Sequence, residues 1–370
     1  MAEVVIQGAG IIGCAVAHEL ARRGARVTVI EAREPGQGAT QASAGVIAPF
    51  IEAPDDTVLR RLCVESLGLY EAFIERVRRE SGVDVEYRRT GSLEVALDQA
   101  EAEHLQAVAK ALAAKNIRAE LIGAASALSR EPTLAPATVA ALFVPEHGYV
   151  AAPMLTQALA AAAKAHGATF QTRTRVERVG RDRNGGGLRV DTSVGAVAAD
   201  AVICSSGSWA GQFPFAVDAR SIPIRPVRGQ MLYLRWRGSA PPSRVIWGSR
   251  CYLVPWSDGT LLVGATVEEV GFAEETTVAG VRTLIDAARE LLPGTDGAEF
   301  IQARVGLRPA SPDLLPVIGE WDALPGFYFA AGHYRNGILL APLTAKMIAD
   351  QLLDRRRHPL LDATAPGRFR

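Results

Sequence analysis

The chain has 370 residues, and its 40 basic and 40 acidic side chains cancel. That balance gives no footing for nucleic acid or an anionic membrane as a general partner. Four cysteines (Cys14, Cys63, Cys204, Cys251) make no CxxC pair and no metal-ligand spacing, so no metal is expected. There is no basic-plus-apolar leader with a cleavage site, and no apolar run reaches the roughly 18 residues of a membrane span. A soluble, cytoplasmic protein in a reducing compartment is therefore expected.

The first readable stretch is "EVVIQGAGIIGCAVAHELARRGARVTVIEA". Val4–Gln7 reads as a short buried strand, and the apolar positions from Ile12 to Arg23 recur at helical spacing until Gly24 closes the helix. "RVTVIE" supplies a second strand ending in Glu31. Between them Gly8, Gly10 and Gly13 stand in GxGxxG spacing. In a dinucleotide site the first glycine permits the tight turn. The second lets backbone approach a pyrophosphate, and the third lets helix and strand pack closely. The helix N-terminus faces the phosphates, and Glu31 accepts from ribose hydroxyls. An acid at this position argues against a 2′-phosphate. The motif alone does not separate NAD from FAD.

The next segment, "EAREPGQGATQASAGVIAP" (Glu31–Pro49), delays any second helix with small and polar residues. It suits an extended path along a long ligand, with N–H donors from Thr40, Ala44, Gly45 and Val46. Further on, "SLEVAL", "RGQMLYLRW", "CYLVPW", "TLLVGA" and "EFIQARVGL" read as strands. "QAEAEHLQAVAKALAAK" and "TTVAGVRTLIDAARELL" read as helices. The glycine-rich 183–187 stretch reads as a hairpin loop, and "LLDRRRHPLL" as a solvated helix end. In "GLRP" and "AGHYRNGILLAP" two arginines, Arg308 and Arg335, sit beside apolar runs and require an anion, an acceptor or water.

The Glu31-to-Gly45 pattern, "TRVERV" (Thr174–Val179), "ADAVICSSGSWA" (Ala199–Ala210) and "AGHYRNGILLAP" (Ala331–Pro342) together resemble the D-amino acid oxidase-like family of FAD enzymes. The last stretch is similar to the flavin segment of glycine oxidases associated with thiamine biosynthesis. The resemblance spans nearly the whole chain. It implies cofactor contacts from Gly8, Gly10, Ile11, Ile12 and Gly13, and from Glu31, Ala32 and Arg33. Ala39, Thr40, Ala44, Gly45 and Val46 follow, then Val176 at the adenine, Gly207 and Trp209. The run Gly332, His333, Tyr334, Arg335, Asn336, Gly337, Ile338 and Leu339 would pass the flavin pyrimidine edge. There a helix N-terminus supplies partial positive charge, and Asn336–Gly337 would provide a left-handed turn that aims its N–H groups.

The same resemblance makes Arg308 the partner of a substrate carboxylate, a role that suits the guanidinium fork. Arg335 would flank the same pocket, with Tyr252 meeting the carboxylate and Trp247 and Val267 forming walls. Arg250 would sit at the mouth or in solvent. Relatives with covalent flavin carry a cysteine where this chain has Gly306, so FAD is expected to be non-covalent. The implied fold is α/β, with a discontinuous Rossmann-like FAD domain (1–85, 150–224 and 305–370). An inserted α+β substrate domain (86–149 and 225–304) would rest on an antiparallel sheet.

The implied activity is oxidation of glycine or another small amine or amino acid (sarcosine, small D-amino acids) to the imine and then the oxo acid. O2 would reoxidise the flavin to give H2O2, and no His, Glu or Asp stands out as a base. The imine would also supply thiazole formation in thiamine synthesis, and a homo-oligomer, a tetramer, is expected. A dehydrogenase with another electron acceptor and a non-catalytic dinucleotide-binding redox regulator stay open as alternatives. A nicotinamide enzyme fits least, since it would have no use for a C-terminal flavin clamp.

Overall fold

The computed structural model describes residues 2–53, 57–182, 186–212, 221–238 and 240–369. Two large sheets organise them. The first has six strands in the order 317–320, 327–331, 201–204, 3–7, 26–30 and 169–171. All its neighbours are parallel except the edge pair Val317–Glu320 with Phe327–Ala331. Parallel strands need crossovers that cover the sheet faces. Helices Ile11–Arg22, Ala152–Ala165 and Gly337–Asp354 supply cover, together with the long helix Val58–Ser81. Every residue of the first helix except Arg22 is buried. That is why "IIGCAVAHELA" is apolar or small nearly all round rather than on one stripe.

The second sheet has eight strands, in the order 299–310, 225–235, 260–264, 252–255, 245–247, 92–96, 140–144 and 120–123. Its pairs are antiparallel apart from Val245–Trp247 with Ser92–Ala96. All five strand-like runs read from the sequence lie in it, and the two helix-like runs are helices Gln99–Ala113 and Val278–Leu291. Strand Glu299–Ala310 runs further than expected, through Arg308 and Pro309, so the division expected at 305 falls inside one strand. Residues 183–185 of the expected hairpin loop lie outside the described residues. The strands on either side, Val176–Arg181 and Leu188–Thr192, do pair antiparallel. The arginine-rich 355–357 segment is exposed beyond the end of helix Gly337–Asp354. Among the described residues no helix is long and apolar enough to cross a membrane.

The C-terminal helix carries Pro342 inside it. A proline has no N–H, so the Ile338 carbonyl loses its donor four residues on. The long helix repairs the gap: Tyr70 Oη donates to Ile338 O at 2.5 Å, and Ser66 Oγ donates to Leu339 O at 2.6 Å. Both donors are fully buried. The start of the C-terminal helix is thus fixed by side chains more than 260 residues earlier in the chain.

Candidate cofactor and substrate site

A cavity of about 770 Å³ runs from the glycine turn, across the carboxyl ends of the parallel strands, to the second sheet. At one end Gly8 has φ +101°, and a Cβ there would lie 2.6 Å from Ser205 O. A Cβ on Gly13 would lie 1.9 Å from Gly8 O, so this glycine serves the helix–strand contact and does not itself line the cavity. Gly10 differs. A Cβ there would meet only Thr40 Oγ1, at 3.4 Å, so the protein itself leaves this position open toward the cavity. Gly10 caps the first helix without any side-chain hydrogen bond. Thr40 Oγ1 accepts from Ile11 N–H at 3.1 Å.

Glu31 closes this end. Its two oxygens accept from Ala9 N–H at 2.7 Å and Arg33 N–H at 2.8 Å. Each oxygen has two lone pairs, so acceptor capacity remains for a ribose. Gln7 also lines the cavity, and its buried Oε1 has no partner. An open glycine, a helix terminus whose cap residue offers no side-chain acceptor, an acid and an orphaned polar atom on one cavity fit a bound dinucleotide.

Two expectations for the neighbouring segments change. The stretch after Glu31 is not simply extended, because Ala39–Ala42 forms a 3-10 turn. Gly45 N–H donates to Ser43 Oγ at 3.2 Å, and a Cβ on Gly45 would lie 1.7 Å from Val150 O. This glycine is therefore fixed by packing, although it lines the cavity with Ala39, Thr40, Ala44 and Val46. The left-handed residues before the C-terminal helix are Gly332 (φ +72°) and Tyr334 (φ +48°), not Asn336–Gly337. The chain reverses immediately after its strand, so Asn336, at φ −99°, already acts as a helix cap.

Ala32, Arg33, Val176, Gly207 and Trp209 line the cavity, as do His333, Tyr334, Gly337 and Ile338. Gly332, Asn336 and Leu339 do not line it. The Arg33 guanidinium lies 5.1 Å from the Trp209 ring centroid and pairs with Glu274, with an Nη2–Oε2 distance of 2.6 Å. His333 is buried and hydrogen-bonded through Nε2 to Thr344 Oγ1 at 2.9 Å; burial pushes its pKa down to about 3, so the ring is neutral.

At the other end Arg308, Tyr252, Trp247 and Val267 meet. Arg308 Nη1 donates to Thr266 O at 2.9 Å and Arg228 O at 3.3 Å, and among the described residues no carboxylate lies within ion-pair distance of it. It is half-buried. Trp247 and Tyr252 pack with ring centroids 4.8 Å apart, and Trp247 Nε1 is buried without a partner. Val267 is 59% exposed, so it forms a rim rather than an inner wall. Arg250 also reaches the cavity but pairs outward with Glu290 at 2.9 Å. Gly306 does not line the cavity: a Cβ there would meet Ala42 Cβ at 2.9 Å. Cys251 lines it, and burial pushes that thiol up to about 12.

Arg335 reaches the cavity too, but its anion is Glu52, which sequence reading missed. Nε to Oε2 is 3.0 Å and Nη2 to Oε1 is 3.1 Å. The Glu52 side chain is only 10% exposed. Burial pushes its carboxyl above the usual range, while Arg335 and Arg308 pull it back. Glu52 ends a short helical turn, Pro49–Glu52, with no sequence pattern to mark it as functional.

Comparisons with known proteins agree in one direction. The model of the FAD dependent oxidoreductase family, DAO, matches residues 3–351. A glycine oxidase of Geobacillus kaustophilus (strain HTA426) is 35% identical over 355 residues, covering 96% of this chain and 93% of its own length. The crystal structure of glycine oxidase from Geobacillus kaustophilus superposes with a TM-score of 0.90 at 34% identity, over 97% of this chain and 96% of that one. A bifunctional protein ThiO/ThiG of Nostoc sp. (strain PCC 7120) is 34% identical over 97% of this chain, which spans 54% of that longer protein.

Proposed function

The chain belongs to the DAO family of FAD dependent oxidoreductases, and on that premise we propose that it oxidises glycine or a similarly small amine or amino acid, such as sarcosine or a small D-amino acid. The observation that carries the reading is the meeting of Arg308, Tyr252 and Arg335 on the same cavity as the glycine turn. A carboxylate ligand would complete Arg308, whose only protein hydrogen bonds among the described residues are to carbonyls. Its fork would fix the carboxylate and so orient the Cα hydrogen. Tyr252 Oη stands ready to donate to the same carboxylate, because burial keeps the phenol protonated. Trp247 and Tyr252 exclude water from the reacting end.

FAD, which these residues would hold non-covalently, would supply the hydride-accepting and O2-reducing chemistry, with H2O2 as the reduced product. The chain's own task is to bind the amine in neutral form and in one orientation. The product imine hydrolyses, for glycine, to glyoxylate and ammonia. The likeness to a protein named ThiO/ThiG supports supply of that imine to the thiazole of thiamine. We also place the protein in the cytoplasm and expect a homo-oligomer, a tetramer. We also divide the chain into a discontinuous cofactor domain and an inserted substrate domain, a reading supported by the two separate sheets, with the last boundary moved past Ala310.

The test is an absorbance spectrum of purified protein under anaerobic conditions, before and after glycine. Flavin bands that bleach and return in air with peroxide support the oxidase reading. Bleaching with slow return in air would replace it with a dehydrogenase. Response to sarcosine or D-alanine alone would change the substrate. No flavin after reconstitution with FAD would end the reading.

A further inference from the structure

Away from the cavity, three helices covering the parallel sheet bring together His18, Glu80 and His166, none of which lines the cofactor site. His18 lies in the first helix, about 10 Å along it from Ile11 at 1.5 Å per residue. Glu80 is in the last turn of the long helix Val58–Ser81, and His166 caps the end of Ala152–Ala165. Both histidines present Nε2 to one oxygen: His18 Nε2 lies 2.6 Å and His166 Nε2 2.9 Å from Glu80 Oε2. The three ligand atoms all lie within 4.8 Å of one another. Among the described residues this is the one such gathering of His, Cys, Asp or Glu.

Burial is graded across the cluster. The side chain of His18 is 1% exposed, that of Glu80 17% and that of His166 33%. One ligand is therefore fixed in the core, while the other two open toward solvent. Two imidazoles and one carboxylate are a ligand set for zinc, which keeps a water in the fourth position when one side is open. Zinc–ligand bonds of about 2.0–2.2 Å place tetrahedral ligand atoms roughly 3.3 Å apart. Metal binding would lengthen the two contacts to Glu80 Oε2, now 2.6 and 2.9 Å, to roughly 3.3 Å, a movement open to Glu80 and His166, the two partly exposed members.

We propose that His18, Glu80 and His166 form a binding site for a zinc-class divalent cation that ties three helices of the cofactor domain together. The proposal does not depend on which substrate the cavity takes. A simple hydrogen-bonded tie, one carboxylate shared by two imidazole N–H groups, is the competing account of the same geometry, and it predicts no metal binding.

The holoenzyme, stripped with EDTA and dialysed, should be titrated with ZnCl2 by calorimetry and by thermal unfolding. The expected result is one saturable zinc ion per chain and a higher unfolding midpoint, with Mg2+ giving neither. His166→Ala removes the most exposed ligand without opening the core. It should weaken zinc binding by more than the roughly tenfold to 100-fold typical of losing an outer-shell partner and abolish the zinc-dependent rise in midpoint, while the visible flavin spectrum stays unchanged. Glu80→Gln should do the same. Absence of saturable zinc binding in the wild type overturns the proposal, and so does zinc binding that both variants leave intact.

Discussion

The guanidinium of Arg308 lies across Gly229: a Cβ built on that glycine would come within 2.4 Å of its Cζ, Nη1 and Nη2. The two residues are on neighbouring antiparallel strands, Gly229 opposite Gly306 and Val227 opposite Arg308. A bare strand position thus seats the arginine. Tyr252 has the same relation to Gly264, its cross-strand neighbour, where a Cβ would lie 2.5 Å from the phenol oxygen.

This seat can be tested. On the proposed role, Arg308→Ala removes a charged hydrogen bond to substrate, worth about 1.5–3 kcal/mol, so KM for amino acids should rise roughly tenfold to 100-fold with flavin retained. Gly229→Ala should fold, because the group it displaces is the far end of a flexible side chain. Its KM should rise by less than that of Arg308→Ala. Loss of FAD with unchanged KM in Arg308→Ala, or an unaltered KM in Gly229→Ala, would contradict the seating.

Glu52 competes with any ligand for Arg335. Glu52→Gln removes one negative charge from the site, and acetate, a carboxylate without an amine, should then bind about three- to tenfold more tightly. Glycine reports separately on the amine: weaker glycine binding alongside tighter acetate binding would show that Glu52 also receives the amino group. Unchanged acetate affinity would mean that Arg335 does not face the ligand.

Gly10 and Gly13 should behave differently although they share a motif. A methyl on Gly10 finds only Thr40 Oγ1, at 3.4 Å, so Gly10→Ala should give an apoprotein with the wild-type unfolding midpoint. Overpacking against the cofactor, about 1–3 kcal/mol, should weaken FAD binding by roughly five- to 150-fold. Gly13→Ala forces a methyl to 1.9 Å from a backbone oxygen and should destabilise the apoprotein itself. Equal loss of apoprotein stability in both variants would refute the distinction.

Tyr70→Phe leaves the Ile338 carbonyl buried with neither the proline nor the tyrosine to donate to it. The expected cost is about 1–3 kcal/mol, read from urea unfolding at a fixed FAD concentration. An unshifted midpoint would show that another donor replaces the phenol.

Acid should destabilise the fold through buried histidines. His147 is fully buried between Ser92, whose Oγ is 2.7 Å from Nδ1, and the Phe50 ring, and burial lowers its pKa to about 3, as for His333. An unfolded histidine takes a proton below about pH 6.5; the folded one refuses it until about pH 3. The unfolded chain therefore binds more protons in that window, and stability falls as pH drops through it. In His147→Asn the loss of stability between pH 7 and pH 5 should be smaller by on the order of 1–2 kcal/mol. Identical losses in variant and wild type would disprove the assignment.

Legibility followed the range of the interactions. The strand–glycine–helix–strand unit could be read because its turn, packing and phosphate-facing terminus are set within about thirty consecutive residues. Five of the second sheet's eight strands and two helices could be read because periodicity is local. The turn before the C-terminal helix was misplaced to Asn336–Gly337, where composition favours it; the left-handed residues are Gly332 and Tyr334. The tertiary need to reverse directly after the strand outweighed the side-chain preference.

What the sequence determined by itself was the α/β plan, the dinucleotide turn and the presence of two arginines that required partners. Which partner each received was decided by the tertiary structure. Arg335 meets a carboxylate 283 positions away in the chain, and Arg308 rests on a glycine in an adjacent strand with carbonyls as its protein acceptors. No local pattern encodes such pairings. The free energy of a buried charge depends on the groups that folding brings within a few ångströms of it.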